Sequence, residues 1–367
     1  MNKLINEISK SLIWKVLALI STFLLVFSLN IQFEGVVEIN KLVGIILILK
    51  TLDFGIIYYR RNLQDYDIFF KQIFLYWILY VSIVIYPLIT FRFYSFFESL
   101  GIAVYGLMFQ EMSLFFNKQQ KSYLSNIPFQ LSLILSLALT FFVGYSLTLI
   151  ILLFLSIQFI YGFFLFKIPI SGNINLLKSY NSSSFLYFLI SLVYIGYSEF
   201  PALGLDHFSI NEYSNTNIFS RINAGIFGVF LILPNAVWNN NYNSKNKLDK
   251  YILNIRYIFL FFILFFLFVM VTFYLLILFL KINNTSLLVY SSITCVLGCI
   301  NLYLINYCYR FSKTSIVLVL TIFEFLVLLI FTKQINLSDD FFMLTTIISV
   351  IKFLLIYTYI TYNKKLS

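Results

Sequence analysis

The sequence predicts an all-α integral membrane protein of about twelve transmembrane helices in two six-helix lobes. Three observations carry this expectation. Hydrophobic types make up 61% of the 367 residues and charged types only 11%, with a mean hydropathy of +0.92, whereas soluble domains are about half apolar and a quarter charged. The apolar residues come in stretches long enough to cross about 30 Å of hydrocarbon. Lys and Arg, finally, collect on alternate connections.

The spans are expected at 12–32, 36–58, 72–91, 99–116, 127–143, 147–166, 184–204, 217–238, 255–280, 285–308, 314–332 and 341–362. Helices are the expected form, since lipid offers no partner for a free backbone group and the strand alternation of a barrel is missing. The first stretch ends in Phe27-Ser-Leu-Asn30 rather than in the small residues of a cleavage site, so it reads as a retained span. The pair meeting at Gly144-Tyr145-Ser146 is joined by a very short turn. The segment 171–183, with Gly172 and a run of Asn and Ser, reads as a cytoplasmic linker. It separates an N-terminal lobe, 1–170, from a C-terminal lobe, 184–367. Each lobe then starts on the same side, as a parallel repeat requires. The outer connection between the seventh and eighth spans is expected at about 205–216.

Counted on alternate connections, 18 Lys and Arg fall on one side and 4 on the other, with three more inside spans. By the positive-inside rule both termini are expected in the cytoplasm. The net charge of +10 is accounted for by topology and anionic lipid, so no nucleic-acid partner is implied. A dozen spans leave no room for a soluble catalytic domain. No phosphate loop, zinc-protease helix or nucleophile elbow is present, and neither an enzyme nor a cofactor is expected. Cys295, Cys299 and Cys308 share one apolar stretch with no His or Asp nearby and read as buried side chains rather than as metal ligands. His207 reads as a residue of an outer loop, with a proton relay as the alternative.

Seven charged residues fall inside spans: Lys50, Asp53, Glu111, Glu199, Arg221, Glu324 and Lys352. Each is expensive in lipid unless paired or hydrated. Pairing accounts for six of them, as Lys50 with Asp53, Glu199 with Arg221 and Glu324 with Lys352, and leaves Glu111 over. The other reading is a wet cationic cavity for an anion. Lys50, Arg221 and Lys352 are then candidate ligands for phosphate oxygens, which suit Arg forks and Lys point charges. Asp53, Glu111, Glu199 and Glu324 would tune those cations or carry a coupling ion.

Two stretches carry a family resemblance. Ile48-Leu-Lys-Thr-Leu-Asp-Phe-Gly-Ile56 resembles the L-D-x-G signature of polysaccharide flippases of the Wzx type. Tyr197-Ser-Glu-Phe-Pro-Ala-Leu-Gly-Leu-Asp-His207, running on to Arg221 and Ile232-Leu-Pro-Asn-Ala-Val-Trp238, is similar to that family's seventh and eighth spans. The chain departs from the pattern at Gln32-Phe-Glu-Gly-Val-Val-Glu38, where relatives carry a small-residue Gly motif, and Glu199 stands where many have Asp. The resemblance implies a MATE-like, V-shaped bundle of the MOP superfamily in the bacterial inner membrane. Its first, second, seventh and eighth spans would line a cavity for an undecaprenyl-diphosphate-linked O-antigen or capsule repeat unit. Lys50 and Arg221 fall in the second and eighth spans. A polysaccharide polymerase and a chain-length regulator are the implied partners beside membrane lipid. The rival readings are a polysaccharide polymerase or ligase, which would need a large polar outer loop, and a MATE-type exporter, whose cavity for cationic drugs would be acidic.

The charge bias generates a direct test of topology. A Cys introduced at Ser182 is expected to resist an impermeant maleimide in intact cells and to react after permeabilisation. Labelling in intact cells would invert the arrangement.

Overall fold

A computed structural model describes residues 12–51, 94–118, 122–165, 182–230, 255–282, 284–310 and 314–366, with a few helical positions between 82 and 89. Every regular element among the described residues is helical, and none is a strand. The helices are α1 (Leu12–Asn30), α2 (Glu34–Thr51), α3 (Phe96–Lys118), α4 (Ile127–Phe142), α5 (Leu147–Phe159), α6 (Ser182–Leu203), α7 (Ile210–Phe230), α8 (Ile255–Leu280), α9 (Thr285–Arg310), α10 (Thr314–Thr332) and α11 (Ser338–Leu366). A 3₁₀ turn, Ser122–Asn126, leads into α4, and a π turn, Ile160–Leu165, continues α5.

Among the described residues, six stretches are long and apolar enough to cross a membrane: Ile13–Asn30, Leu124–Phe142, Phe262–Leu280, Thr285–Ile305, Ser315–Thr332 and Ser338–Tyr362. Two shorter apolar helical stretches, Phe96–Phe109 and Leu147–Gly162, accompany them. Large apolar side chains stand uncovered along α1, α8, α10 and α11, among them Ile13, Leu264, Phe268, Ile330 and Leu354. Such faces suit lipid and not water. The chain is a multi-pass membrane protein. Most of the span expected at 72–91 lies outside the described residues, as does the linker expected at 171–183 except for its last two residues, which open α6.

The chain forms two compact units. One comprises Ile13–Ser28 and Phe33–Glu199. Its core is aromatic. Tyr105 of α3 meets Phe154 of α5 edge-on at 5.2 Å, and Phe129 of α4 bridges Phe109 and Phe154 at 5.7 and 6.1 Å. Offset and edge-to-face rings at these distances hold three helices without polar help. Ser132, Ser136 and Thr140 follow one another along α4 and return their hydroxyls to the carbonyls of Pro128, Ser132 and Ser136. Gly101 lets α3 approach α5, since a Cβ there would lie 2.6 Å from Ile151 Cγ2. At the start of α3, Ser95 and Glu98 form a capping box. Glu98 accepts from the Ser95 backbone N–H at 3.0 Å, and the Glu98 N–H donates back to Ser95 Oγ at 3.4 Å. Tyr145, in the turn between α4 and α5, is half-buried. Its phenol is pushed well above the ordinary range by burial and, secondarily, by Glu38 and Glu98.

The other unit comprises Phe200–Ser367 with two short pieces near the N-terminus. Helix α9 is its axis, packed against α7, α8, α10 and α11. Phe219 of α7 stacks on Phe273 of α8 at 5.2 Å and meets Phe342 of α11 at 6.1 Å. The α8 helix ends in a Schellman turn: Lys281 takes φ +56° and Ile282 N–H reaches back to the Ile277 carbonyl at 3.1 Å.

One boundary differs from the sequence expectation by about two helical turns. The outer connection anticipated at 205–216 is helix from Ile210 onward, so it shrinks to 204–209. Hydropathy missed these turns because Asn211, Glu212, Ser214, Asn215, Thr216 and Asn217 are polar. They are helical because the bundle satisfies them. Thr216 returns its hydroxyl to the Glu212 carbonyl, Tyr213 donates to Ala202 O, and Asn217 donates to Pro201 O.

Two glycines separate packing from propensity. Gly101→Val should lower the melting temperature of the purified protein, by about 1–3 kcal/mol of overpacking. Gly225→Ala, on α7 with nothing within 4 Å of its added carbon, should be neutral or stabilising by up to about 1 kcal/mol. A thermal shift in detergent reads both.

Candidate functional site: charges within the bundle

The second unit concentrates its polar chemistry on α7, α9, α10 and α11. At one end, three connections are knitted together. The last carbonyls of α6 have no helical donors of their own, and the chain supplies them: Gly204 N–H to Phe200 O at 2.7 Å, Asn217 to Pro201 O and Tyr213 to Ala202 O, each at 2.9 Å. His207 Nε2 lies 3.0 Å from Thr332 O and 2.9 Å from Ile335 O. Carbonyls only accept, so this nitrogen carries the hydrogen. His207, exposed in the connection between α6 and α7 as the sequence suggests, thereby ties that connection to the end of α10. Glu212 Oε2 accepts the backbone N–H of Ser338 at 2.6 Å, placing a carboxylate at the positive end of α11. Asn284 caps α9 by accepting from Leu287 N–H at 3.1 Å and donates to Asp339 at 2.6 Å. Ser286 also donates to Asp339.

Deeper in the bundle, α9 and α11 share hydroxyl and amide contacts. Thr294 and Thr346 lie 2.8 Å apart, Thr346 donates to Tyr290 O at 3.1 Å, and Asn301 donates to Ser349 O at 2.9 Å. One turn on from Ser349, Lys352 Nζ sits 2.5 Å from Glu324 Oε2 of α10, with the two side chains 6% and 4% exposed. The structure brings these two charges together, and each neutralises the other where lipid-depth burial would otherwise be severe.

Lys50 lies in the last turn of α2 and Glu111 on α3, their side chains outside the described residues, as is the whole of Asp53. Glu199 is 7% exposed on α6. Arg221 is half-buried on α7, on the face that also carries Ser220, the exposed Ala224 and the open Gly225. Asn217 and Ile218, one turn earlier on the same side, are buried, as are Phe219, Ile222 and Asn223.

Cys295, Cys299 and Cys308 are free and buried, and among the described residues no group of His, Cys, Asp and Glu is arranged to hold a metal. In the first unit a shallow apolar pocket of about 450 Å³ opens between α3 and the π turn of α5, lined by Met108, Leu155, Ser156, Phe159 and Ile160. No protein-family model matches the chain, and neither does any curated protein or solved structure.

Sequence reasoning passed over Glu212, Asn217 and Asn301. Each is a lone polar residue whose partner is a backbone group far along the chain, and nothing in local spacing announces such a partner. For Asn301 and Ser349 the only hint is that Thr345, Ser349 and Lys352 recur at helical spacing along α11.

The ion pair makes an asymmetric prediction. Glu324→Gln strands a buried cation and should cost on the order of 3–5 kcal/mol. Lys352→Met strands a carboxyl that a proton can neutralise, so it should cost less. The double variant Glu324→Leu with Lys352→Met should approach wild-type stability. Melting curves in detergent and abundance in the membrane give the ranking, and equal losses in all three variants would contradict a paired role.

Proposed function

We propose that the chain is a flippase that carries an undecaprenyl-diphosphate-linked oligosaccharide repeat unit, of O-antigen or capsule, across the bacterial inner membrane by alternating access. In this reading it is a twelve-span protein of two lobes with both termini in the cytoplasm. A polysaccharide polymerase and a chain-length regulator are its neighbours in the pathway. The reading rests on the resemblance of 48–56 and 197–238 to polysaccharide flippases. Its physical support is α7, a 21-residue helix rich in Asn, Ser and Thr inside a membrane bundle.

One observation carries the mechanism: Arg221 is half-buried on α7 with its Nη2 inside the protein, next to the exposed Ala224 and to Gly225, which has open space around it. A guanidinium so placed matches diphosphate oxygens through its fork of donors. Lys50, near the end of α2, is the second ligand in the proposal. Lys352, a third candidate by sequence, is held by Glu324 and has no diphosphate role in the proposal. Sugar and diphosphate would occupy the wet cavity while the lipid tail stays in the bilayer, and rocking of the lobes would move the headgroup across. The connection at 204–209 is too short for the catalytic outer loop that a polymerase would need there.

Arg221→Ala and Lys50→Ala are expected to abolish surface polysaccharide while protein abundance in the membrane stays near normal. Arg221→Lys should retain partial activity, and Lys50→Arg should be tolerated best. Immunoblots of membranes and gels of surface polysaccharide give the two readouts. Normal polysaccharide from both alanine variants at normal abundance would rule out the cationic-cavity mechanism.

A further inference from the structure

We propose that Glu324 is a proton-binding site inside the α9–α11 bundle, and that Asn301 is the acceptor that takes the Lys352 ammonium when Glu324 is protonated. This concerns neither the diphosphate nor the sugar, and it stands or falls independently of the flippase reading.

Asn301 is 4% exposed. Its Nδ2 donates to the Ser349 carbonyl, which fixes the amide so that Oδ1 is the free end. That Oδ1 is buried and has no hydrogen-bond partner among the described residues. A buried amide oxygen left open costs about 1–3 kcal/mol. Ser349, to which Asn301 is bound, precedes Lys352 by one helical turn on the same side of α11. The ammonium has three donors and Glu324 Oε2 takes one of them at 2.5 Å. The bundle thus holds one cation and two kinds of acceptor, a carboxylate that is engaged and a carbonyl that is not.

A proton arriving at Glu324 turns the carboxylate into a carboxylic acid and ends its charge attraction for Lys352. The ammonium keeps its own proton and its charge, and the open Asn301 carbonyl then offers it the better acceptor. Loss of the proton reverses both moves. The surrounding charges are few. Glu324 is the only ionisable residue of α10, and α9 brings Tyr290, Tyr303 and the thiols of Cys295, Cys299 and Cys308, with no charged residue before Arg310. From α11 come Lys352, Tyr357, Tyr359 and Tyr362, with Asp339 and Asp340 at its first turn and Lys364 and Lys365 at its last. From α7, which packs on α11, come Glu212 and Arg221. The shared hydroxyls of α9 and α11, from Ser286 at Asp339 through Thr294 and Thr346 to Asn301, give the pair a polar approach from the Asp339 end. These bonds also hold the two helices together, but helix adhesion requires neither an open acceptor nor an acid at the end of the row.

The test uses the full chain, purified in detergent or nanodiscs, with dicyclohexylcarbodiimide as the probe. This reagent adds to a protonated carboxyl buried in an apolar setting and remains as an N-acylurea, which peptide mass spectrometry locates. In wild-type protein, Glu324 labelling is expected to rise from about pH 8 to about pH 5, approaching tenfold per pH unit before it levels off. Asn301→Leu should slow labelling at every pH, because Lys352 then has only Glu324 to bind. Asn301→Asp, close to isosteric, should speed it by giving the ammonium a charged alternative, and it keeps the test available if the leucine variant does not fold. Lys352→Met should label readily even at high pH. The proposal is overturned if wild-type Glu324 stays unlabelled at all pH values while Lys352→Met labels, if wild-type labelling ignores pH, or if both Asn301 variants label at the wild-type rate.

Discussion

A polar group in the hydrocarbon of a membrane has nothing but the protein to bind, and much of this fold is arranged around that requirement. The end of α6 illustrates it. Three consecutive carbonyls, at Phe200, Pro201 and Ala202, would be bare, and each has a donor: one from the turn at Gly204 and two from side chains of the next helix. The donors come from Tyr213 and Asn217, and supplying them explains why α7 begins with residues that look like loop. Glu212 does the same for the first N–H of α11, and His207 for two carbonyls at the end of α10. Polar residues on α7 are thus part of the covalent chain's hydrogen-bond accounting, and their positions follow from the helix ends they serve.

The two units solve their packing differently. In the first, aromatic rings and close approach at glycine do most of the work, and the hydroxyls of α4 turn back on their own helix. In the second, α9 and α11 are joined by hydroxyl and amide bonds that run between helices. Bonds of the first kind leave a helix free to shift against its neighbour. Bonds of the second kind fix register, since a displacement by one residue would break Thr294–Thr346 and Asn301–Ser349 together.

What the sequence makes legible is the set of long apolar helices. The ends of α4, α8 and α10 lie within a residue or so of expectation because Lys, Asn, Pro and Gly bracket uniform apolar runs. The start of α7 was not legible, since hydropathy measures transfer to lipid and these residues transfer to a protein interior that binds them. Among the charges, Glu324 and Lys352 could be matched from their similar depth on consecutive spans. Asn301, a neutral residue among Tyr and Leu, gave no signal, because an open amide oxygen is a property of three-dimensional neighbours. Glu199 and Arg221 remain assigned from their positions on α6 and α7 alone.

Helix α11 has a further consequence. Its apolar stretch, Ser338–Tyr362, runs for 25 residues, or about 37 Å at 1.5 Å per residue. Its partner α10 offers an 18-residue stretch, about 27 Å long. A bilayer of about 30 Å cannot match both helices upright. Since Glu324 and Lys352 pin the two at mid-length, neither can slide to suit the membrane on its own. Even without its polar start at Ser338, Asp339 and Asp340, α11 is the longer of the two, and the surplus is taken up by leaning α11 or by thickening the lipid around it. Membrane thickness therefore acts on this protein as a lever whose fulcrum is the ion pair.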